Sequence, residues 1–271
     1  PETFLSAEGE DDITSPGSHG VYSGSNFGAP TNFQAIDDPI AAGSSGSGTY
    51  EMTTGVSNNT QDVTQLVLSE GSVDSATAWT HPEASSLPDE ASGLLEGVTE
   101  DDSTAMDDFA VVQVEASGLY GNLTSYTQLD NVTNNPYALN FTQTNAGANA
   151  EGNMFNGSDL SSSAVYFDGE NNTFYAVVDT EDHGIENDHD YEAEFKLHES
   201  SPLTDETQTA STNFSVEERT LEFTNLNESD VLEVEAGETN ITGETSIAAG
   251  SEFTVQAQSD QFVQTATATV D

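Results

Sequence analysis

An acidic run in the second half of the chain has the residue types and spacing of a loop that binds a hard cation. Residues 179–190 place aspartate at position 1, glutamate at 3, glycine at 6 and aspartate at 12. Carboxylate oxygens are the ligands that Ca²⁺ and Mg²⁺ prefer, but His183 at position 5 and strand-like flanks argue against an EF-hand. The pattern favours a solvated hairpin loop. The alternative is a low-affinity Ca²⁺ or Mg²⁺ site formed by Asp179, Glu181, Asp182, Asp188 and Asp190.

Nine Asn-x-Ser/Thr motifs offer acceptors for N-linked glycans. Each one alone is also explained as an ordinary loop asparagine in a chain rich in Asn, Ser and Thr. Together they exceed what this composition gives by chance, and they indicate an exported protein that meets a glycosylation system. The acceptor residues are Asn58, Asn122, Asn131, Asn140, Asn156, Asn171, Asn213, Asn227 and Asn240.

No arrangement of residues points to catalysis. The chain has no Gly-x-Ser-x-Gly elbow, no Walker loop and no His-Glu-x-x-His motif. A pair of carboxylates can hydrolyse a glycosidic bond, but with 49 acidic residues any such pair is uninformative. Trp79 could stack a sugar, although a single tryptophan in a β-sandwich is more often part of the core. We predict that the protein is not an enzyme.

The net charge of the chain indicates the salt concentration in which the protein folds. It carries 49 acidic residues and only two cationic ones, Lys196 and Arg219, for a formal net charge of −47. Such a chain repels itself in dilute buffer, whereas in 1 M salt the Debye length falls to about 3 Å and the repulsion is screened. We therefore expect a protein of an extreme halophile. Nucleic acid is excluded as a partner because binding it requires clustered cations.

Three further features of the sequence bear on export. The chain has no cysteine, so disulfides and thiolate metal sites are excluded. No apolar run approaches the 18 residues or so that span a bilayer, so we expect no transmembrane segment in this chain. Pro1 is not a natural initiator, and we expect the chain to be processed or excised.

The elements that must position these residues have the period of β-strands. Residues 109–115 and 191–197 alternate apolar and polar side chains, and residues 174–179 are almost wholly apolar. Comparable short runs recur about every ten residues, which is typical of a β-sandwich or barrel. Residues 87–97 predict one short helix, because proline and acids occupy its first turn. The acidic run at 100–106 allows a second helical turn.

The strand pattern therefore predicts an all-β fold class, as tandem sandwich modules with one short helical insertion. We expect an N-terminal β-rich module over 1–118 that contains the helix. A second sandwich follows over 119–219. A C-terminal module over 220–271 reads as truncated.

Several passages resemble haloarchaeal cell-surface glycoproteins, the family that includes S-layer glycoproteins. The resemblance covers residues 57–271 in order and with similar spacing. Ala249 stands where the family usually has proline, and Gln256 and Gln258 stand where it has basic residues. The passages that carry it are Leu66–Glu70 with Asp74 and Thr77–Trp79, then Val112–Gly121, Phe141–Asn145, Tyr175–Thr180, Phe214–Arg219 and Thr239–Val255.

The resemblance implies that the sandwich modules, including the C-terminal one over 220–271, are immunoglobulin-like. It also implies a glycosylated structural protein outside the cell, whose modules assemble a two-dimensional coat that divalent cations stabilise. Self-association is thus the expected partnership, and N-linked glycans with Ca²⁺ or Mg²⁺ are the expected attached groups. The first alternative is a subunit of an extracellular filament or adhesin, joined by strand exchange through residues 1–30. The second is a secreted hydrolase fragment or its carbohydrate-binding module.

Overall fold

A computed structural model describes residues 48–56, 59–68, 70–83, 87–131, 135–201, 203–224, 226–229, 231–232 and 241–271. For residues 48–56, 59–62 and 66–68 the description covers the backbone alone. The acceptors Asn58 and Asn240 lie outside the described residues. So does the segment 1–30 on which the strand-exchange alternative depends.

The described chain is mainly β-structure, which confirms the predicted all-β class. Its single α-helix, α1 (Ala91–Leu95), confirms the helix predicted within 87–97. Among the described residues no helix is long and apolar enough to cross a bilayer. The strands are β1 (Gly48–Val56), β2 (Asn59–Leu68), β3 (Ser72–His81), β4 (Ser103–Ala105), β5 (Phe109–Ser117), β6 (Tyr137–Gln143), β7 (Met154–Asn156), β8 (Val165–Asp168), β9 (Thr173–Asp179), β10 (His189–Leu197), β11 (Gln208–Glu217), β12 (Leu221–Phe223), β13 (Gly243–Thr245), β14 (Glu252–Gln258) and β15 (Val263–Thr269).

Two compact units make up the chain. The first comprises residues 1–72 and 197–208, and the second comprises residues 73–196 and 209–271. In the first unit, β1 and β2 pair as an antiparallel ribbon whose register shifts between Thr54 and Gly55. The second unit holds two larger sheets and two C-terminal ribbons, and it contains both the acidic loop and the described glycan acceptors.

The two larger sheets contain four and five strands. Their orders are β3-β5-β9-β8 and β4-β11-β10-β6-β7. Within them β5 pairs antiparallel with β9, and the short edge strand β4 pairs parallel with β11. Strands from both sides of residue 118 share each sheet, so the module division expected at 118/119 falls inside this pair of sheets.

Aromatic side chains pack the two sheets against each other. Phe174 on β9 meets Phe195 on β10 edge-on, with ring centroids 5.0 Å apart. Along β10, Tyr191, Ala193 and Phe195 are buried while the residues between them are exposed or half-buried. This period of two is what a strand with one face on a core requires.

Strand β9 departs from that alternation because both of its faces are covered. Six of its seven residues are buried. Its outward-facing Tyr175 is the register partner of Tyr166, whose hydroxyl donates to the backbone oxygen of Pro88 at 2.7 Å. The helical segment that follows Pro88 contributes the fully buried Leu94. The almost wholly apolar run at 174–179 is therefore explained by burial on both faces.

The helical turn allowed at 100–106 is wrong, because the chain forms β4 there. Residues 103–105 pair with residues 215–217 of β11, and Thr104 and Ala105 are buried. The local run of acids suits a helical turn, but pairing with a strand more than 100 residues away decides the outcome. Tertiary contact thus overrides local propensity at this edge.

The C-terminal residues form two ribbons of two strands each. β12 pairs with β13, and β14 pairs with β15 over seven residues. Among the described residues neither ribbon gains a third strand. Large apolar side chains stay in solvent here, including Phe223 at 53% and Val263 at 56% exposure. These ribbons therefore lack a core of the kind that the two larger sheets enclose.

Candidate functional site

The acidic loop begins where β9 ends, and it is shaped by backbone turns. The Asp179 carboxylate accepts the Glu181 N–H at 3.0 Å, and the Asp182 N–H donates to the Asp179 backbone oxygen at 3.1 Å. His183 and Asp188 adopt positive φ, of 57° and 63°, which is the left-handed conformation of tight turns. The loop is largely exposed, as predicted, but the predicted hairpin is wrong, because β9 and β10 belong to different sheets and do not pair with each other.

Two neighbouring residues hold this loop in place. The Asn153 side-chain nitrogen donates to the His183 backbone oxygen and to the Tyr191 hydroxyl, both at 2.8 Å. The His183 ring stacks on Phe155, with centroids 4.6 Å apart and planes 12° apart. Burial raises the pKa of Tyr191, although the Asn153 hydrogen bond opposes the shift. The hydroxyl therefore stays protonated at neutral pH and serves as a fixed hydrogen-bonding group.

A second loop packs beside the acidic one and leaves an open cavity of about 630 Å³ between them. The Thr144 N–H donates to the Asp190 backbone oxygen at 2.7 Å, and the Asn145 side chain donates to the Asp188 backbone oxygen at 2.6 Å. Glu151 and Glu186 add carboxylates to the cavity lining. The bridging bonds use backbone oxygens, which leaves the Asp188 and Asp190 carboxylates at the surface.

Metal-ion binding by this loop stays a prediction. Across the described part of the chain, no three Asp, Glu or His side chains converge as the ligands of one metal ion would. The five predicted ligands share a loop, but the Asp179 carboxylate is occupied by a backbone N–H, and Glu181, Asp182, Asp188 and Asp190 are exposed. This arrangement suits loosely held, hydrated cations better than a closed coordination shell.

Seven of the nine predicted glycan acceptors lie in the described residues, and they fall into two groups. The first group occupies turns and loops, where Asn131, Asn171 and Asn227 are exposed and Asn122 is half-buried. The second group consists of the strand residues Asn140 in β6, Asn156 in β7 and Asn213 in β11. Of these three, Asn213 is exposed and the other two are half-buried.

The three strand acceptors share the outer surface of the five-stranded sheet. Each is adjacent in sequence to a phenylalanine that points into the core, namely Phe141, Phe155 and Phe214. Phe141 contacts both of the other rings, at 4.6 Å and 6.4 Å. Because successive side chains in a strand point to opposite faces, all three asparagines lie on the other face. We call this surface, defined by Asn140, Asn156 and Asn213, the acceptor face.

In the sequence, Asp108 belongs to an acidic cluster with Asp101, Asp102 and Asp107 that predicts a salt-hydrated face, and for Asp108 this prediction is wrong. Asp108 is completely buried and accepts the Glu83 N–H at 3.0 Å and the Ala248 N–H at 2.7 Å. Arg219 lies 3.9 Å from it and pairs with Glu83 at 3.1 Å. Asp108 thus joins the end of β3 to the C-terminal ribbons. Its position next to the strand residue Phe109 was the only available signal, and 48 other acids obscured it.

Comparison with known proteins identifies relatives of this chain. No family model matches the chain. It is 30% identical over 297 residues to "Cell surface glycoprotein 1" of Haloarcula hispanica, a match that covers 95% of this chain and 31% of that protein. "Cell surface glycoprotein 2" of the same organism is 29% identical over 313 residues, which cover 99% of this chain and 32% of the relative.

A third relative comes from another genus. "Cell surface glycoprotein" of Haloferax gibbonsii is 28% identical over 236 residues, which cover 80% of this chain and 27% of that protein. The chain is a homologue of the haloarchaeal cell surface glycoproteins. The resemblance found in the sequence is thereby confirmed, and so is the predicted location at the cell surface. This cell surface glycoprotein homologue spans about a third of the length of the relatives it matches.

Proposed function

We propose that this chain is a non-enzymatic, N-glycosylated building block of an S-layer-type coat on a halophilic cell. The observation that carries the proposal is its homology, over most of its length, with proteins named cell surface glycoproteins. A structural role at the cell surface is the part that this homology supports directly. The coat, the glycans and the cations are what we add to it.

The two packed sheets suit a spacer that keeps its dimensions under load. Interior side chains of this unit are completely buried aromatic and aliphatic residues, among them Tyr137, Phe141 and Tyr191. Close packing of that kind resists deformation, because any displacement loses many dispersion contacts together. A coat needs repeating units that hold a fixed distance between neighbouring contacts.

The ribbon of β14 and β15 supplies a surface for contact between copies. Phe262 in its connecting turn is 53% exposed, and residues 253–270 contain a single acid, Asp260. Elsewhere the chain averages far more carboxylates, so the approach of two copies at this ribbon brings fewer like charges together. Exposed strand edges add unpaired backbone groups that favour pairing with another chain.

Surface carboxylates supply the cation-dependent part of the assembly. The acidic loop presents Glu181, Asp182, Asp188 and Asp190 in solvent, beside a cavity lined by further acids. Hydrated Ca²⁺ or Mg²⁺ between two such loops neutralises like charges that would otherwise separate the copies. Cation bridging of this kind weakens when the ion is removed, even though each copy stays folded.

Assembly of the purified chain tests this proposal. In molar KCl with millimolar Ca²⁺ or Mg²⁺, we expect ordered sheets by electron microscopy and a pelleting fraction by sedimentation. Addition of a chelator at constant ionic strength should return the chain to solution, with an unchanged circular dichroism spectrum. Three results would each overturn the proposal of a coat. They are filaments in place of sheets, a monomer under every condition, and an assembly that survives chelator in millimolar salt.

Two variants with equal charge change separate the loop from general acidity. The loop variant replaces its five predicted ligands with their amides, as D179N, E181Q, D182N, D188N and D190N. The dispersed variant replaces five exposed acids elsewhere, as E100Q, E170Q, E199Q, E206Q and E218Q. We expect the loop variant to need a higher divalent concentration for assembly than the dispersed variant. Equal requirements would show that the loop has no special part in cation binding.

A further inference from the structure

Two of the glycan acceptors face each other across neighbouring strands. Asn140 of β6 is the register partner of Asn156 of β7. The next pair along the ladder is Phe141 with Phe155, whose buried rings stack 4.6 Å apart with planes 13° apart. That stack fixes the register, because a slip of one residue would bring the asparagines into the core. The two amides therefore emerge side by side on the acceptor face.

The backbone hydrogen bonds show which kind of pair they form. The Gln143 N–H donates to the Asn153 backbone oxygen at 2.8 Å. Hydrogen-bonded and non-hydrogen-bonded pairs alternate along an antiparallel ladder. Asn140 lies three residues from Gln143, so the Asn140–Asn156 pair is of the non-hydrogen-bonded kind. In such pairs the Cα atoms are only about 4.5 Å apart and the side chains lie closest.

Little free space surrounds the two amides. Both asparagines are half-buried, and the Asn140 side-chain oxygen is buried without a hydrogen-bond partner. Neighbouring strands lie about 4.8 Å apart, so a sugar linked to either amide nitrogen covers the outer surface of the other asparagine. Two glycans at this pair would compete for the same volume above the sheet.

We propose that Asn140 and Asn156 act as one glycosylation site, with a single N-linked glycan on one or the other in each folded molecule. This inference rests on the proposed function, since it requires that the chain is N-glycosylated. Asn213 provides the contrast. It is exposed on β11, and β10 lies between β11 and β6, so a glycan on Asn213 starts about 10 Å from this pair. Asn213 therefore accepts its glycan independently.

The test counts glycans on the whole protein. The chain and its variants are produced in a glycosylating haloarchaeal host, and intact-protein mass spectrometry gives the number of glycans per molecule. We expect N140Q and N156Q each to keep the wild-type number, because the remaining asparagine takes the glycan. The double variant should lose one glycan. Loss of one glycan from each single variant, or no loss from the double variant, would overturn the inference.

Two controls make the result independent of the asparagine side chains. T142A and S158A remove the hydroxyl that each motif requires while both asparagines stay in place, and they should reproduce the single and double results. N213Q should lose one glycan whether or not Asn140 and Asn156 are also substituted. A chain without any glycan would overturn the proposed glycosylation itself. Glycans at Asn213 with two more at the pair would overturn only the single-site inference.

Discussion

At the scale of single residues, both cationic side chains of the protein form ion pairs with carboxylates. Lys196 pairs with Glu194 at 3.0 Å on the outer surface of the five-stranded sheet. Arg219 contacts Glu83 and Asp107 at the surface and approaches the buried Asp108. Exposed ion pairs contribute little because water and salt screen them, whereas a buried carboxylate depends on every hydrogen bond it accepts.

Replacement of Asp108 with asparagine should therefore destabilise the protein by about 1.5–3 kcal/mol. Each carboxylate oxygen of Asp108 accepts one backbone N–H, whereas the asparagine amide has only one oxygen and leaves the other N–H without an acceptor. The measurement is the free energy of unfolding from urea denaturation in molar KCl. Limited proteolysis should also cleave the D108N chain faster within the C-terminal ribbons, which lose the bond to Ala248.

The matched control is D107N at the neighbouring position. Asp107 has a φ of 76°, which asparagine tolerates well, and its side chain is 41% exposed. Its ion pair with Arg219 should be worth about 0–1 kcal/mol. An equal loss of unfolding free energy in both variants would show that the buried hydrogen bonds of Asp108 do not hold the end of β3 to the C-terminal ribbons.

At the scale of strands, burial decides which residues of a repeated sequence pattern reach solvent. Residues 140–142 and 213–215 each read Asn-Phe-Thr/Ser within a strand. Because the phenylalanine points into the core, the asparagine and the hydroxyl residue both lie on the acceptor face. The same alternation that builds the core thus presents a complete glycosylation motif on one surface.

The contact between the two sheets should carry much of the stability. F174A removes a fully buried ring that meets Phe195, and we expect a loss of about 3–5 kcal/mol. F262A removes a ring that is 53% exposed, and the change should stay within about 0.5 kcal/mol. Urea denaturation in molar salt measures both. Comparable losses would mean that the ribbons are as well packed as the sheets.

At the scale of the whole molecule, a net charge of −47 opposes folding unless salt screens it. The proposed function gives the carboxylates two separate dependences on cations. We expect screening by any salt to permit folding, and we expect divalent ions to bridge folded copies only if the proposed coat forms. Far-UV circular dichroism reports the first process and sedimentation reports the second.

Dilution from molar to millimolar KCl should unfold the chain, because the Debye length grows from about 3 Å at 1 M to about 30 Å at 0.01 M and the carboxylates then repel one another. The dispersed variant, with five fewer charges, should keep its β-sheet spectrum to a lower salt concentration. A native spectrum for the unaltered chain in millimolar salt would contradict this explanation of its composition.

Much of the sheet structure was predictable because alternation is a local property. The strands at 109–115, 174–179 and 191–197 all form where the sequence predicts them, as does the helix within 87–97. The predicted turn at 100–106 fails because β11 lies far away in sequence. The acidic loop was located correctly along the chain, but its hydrogen bonds to Asn145 and Asn153 depend on the neighbouring loop.

The sequence by itself indicated adaptation to high salt, the all-β class and the positions of the Asn-x-Ser/Thr motifs, because charge follows from composition while period and motif are carried by neighbouring residues. Only the tertiary structure decided that Asp108, one of 49 acidic residues, is buried and that Asn140 lies opposite Asn156. Both results depend on which strands become neighbours. That choice is made by the packing of the whole core, where Phe141 must meet Phe155 and Phe174 must meet Phe195.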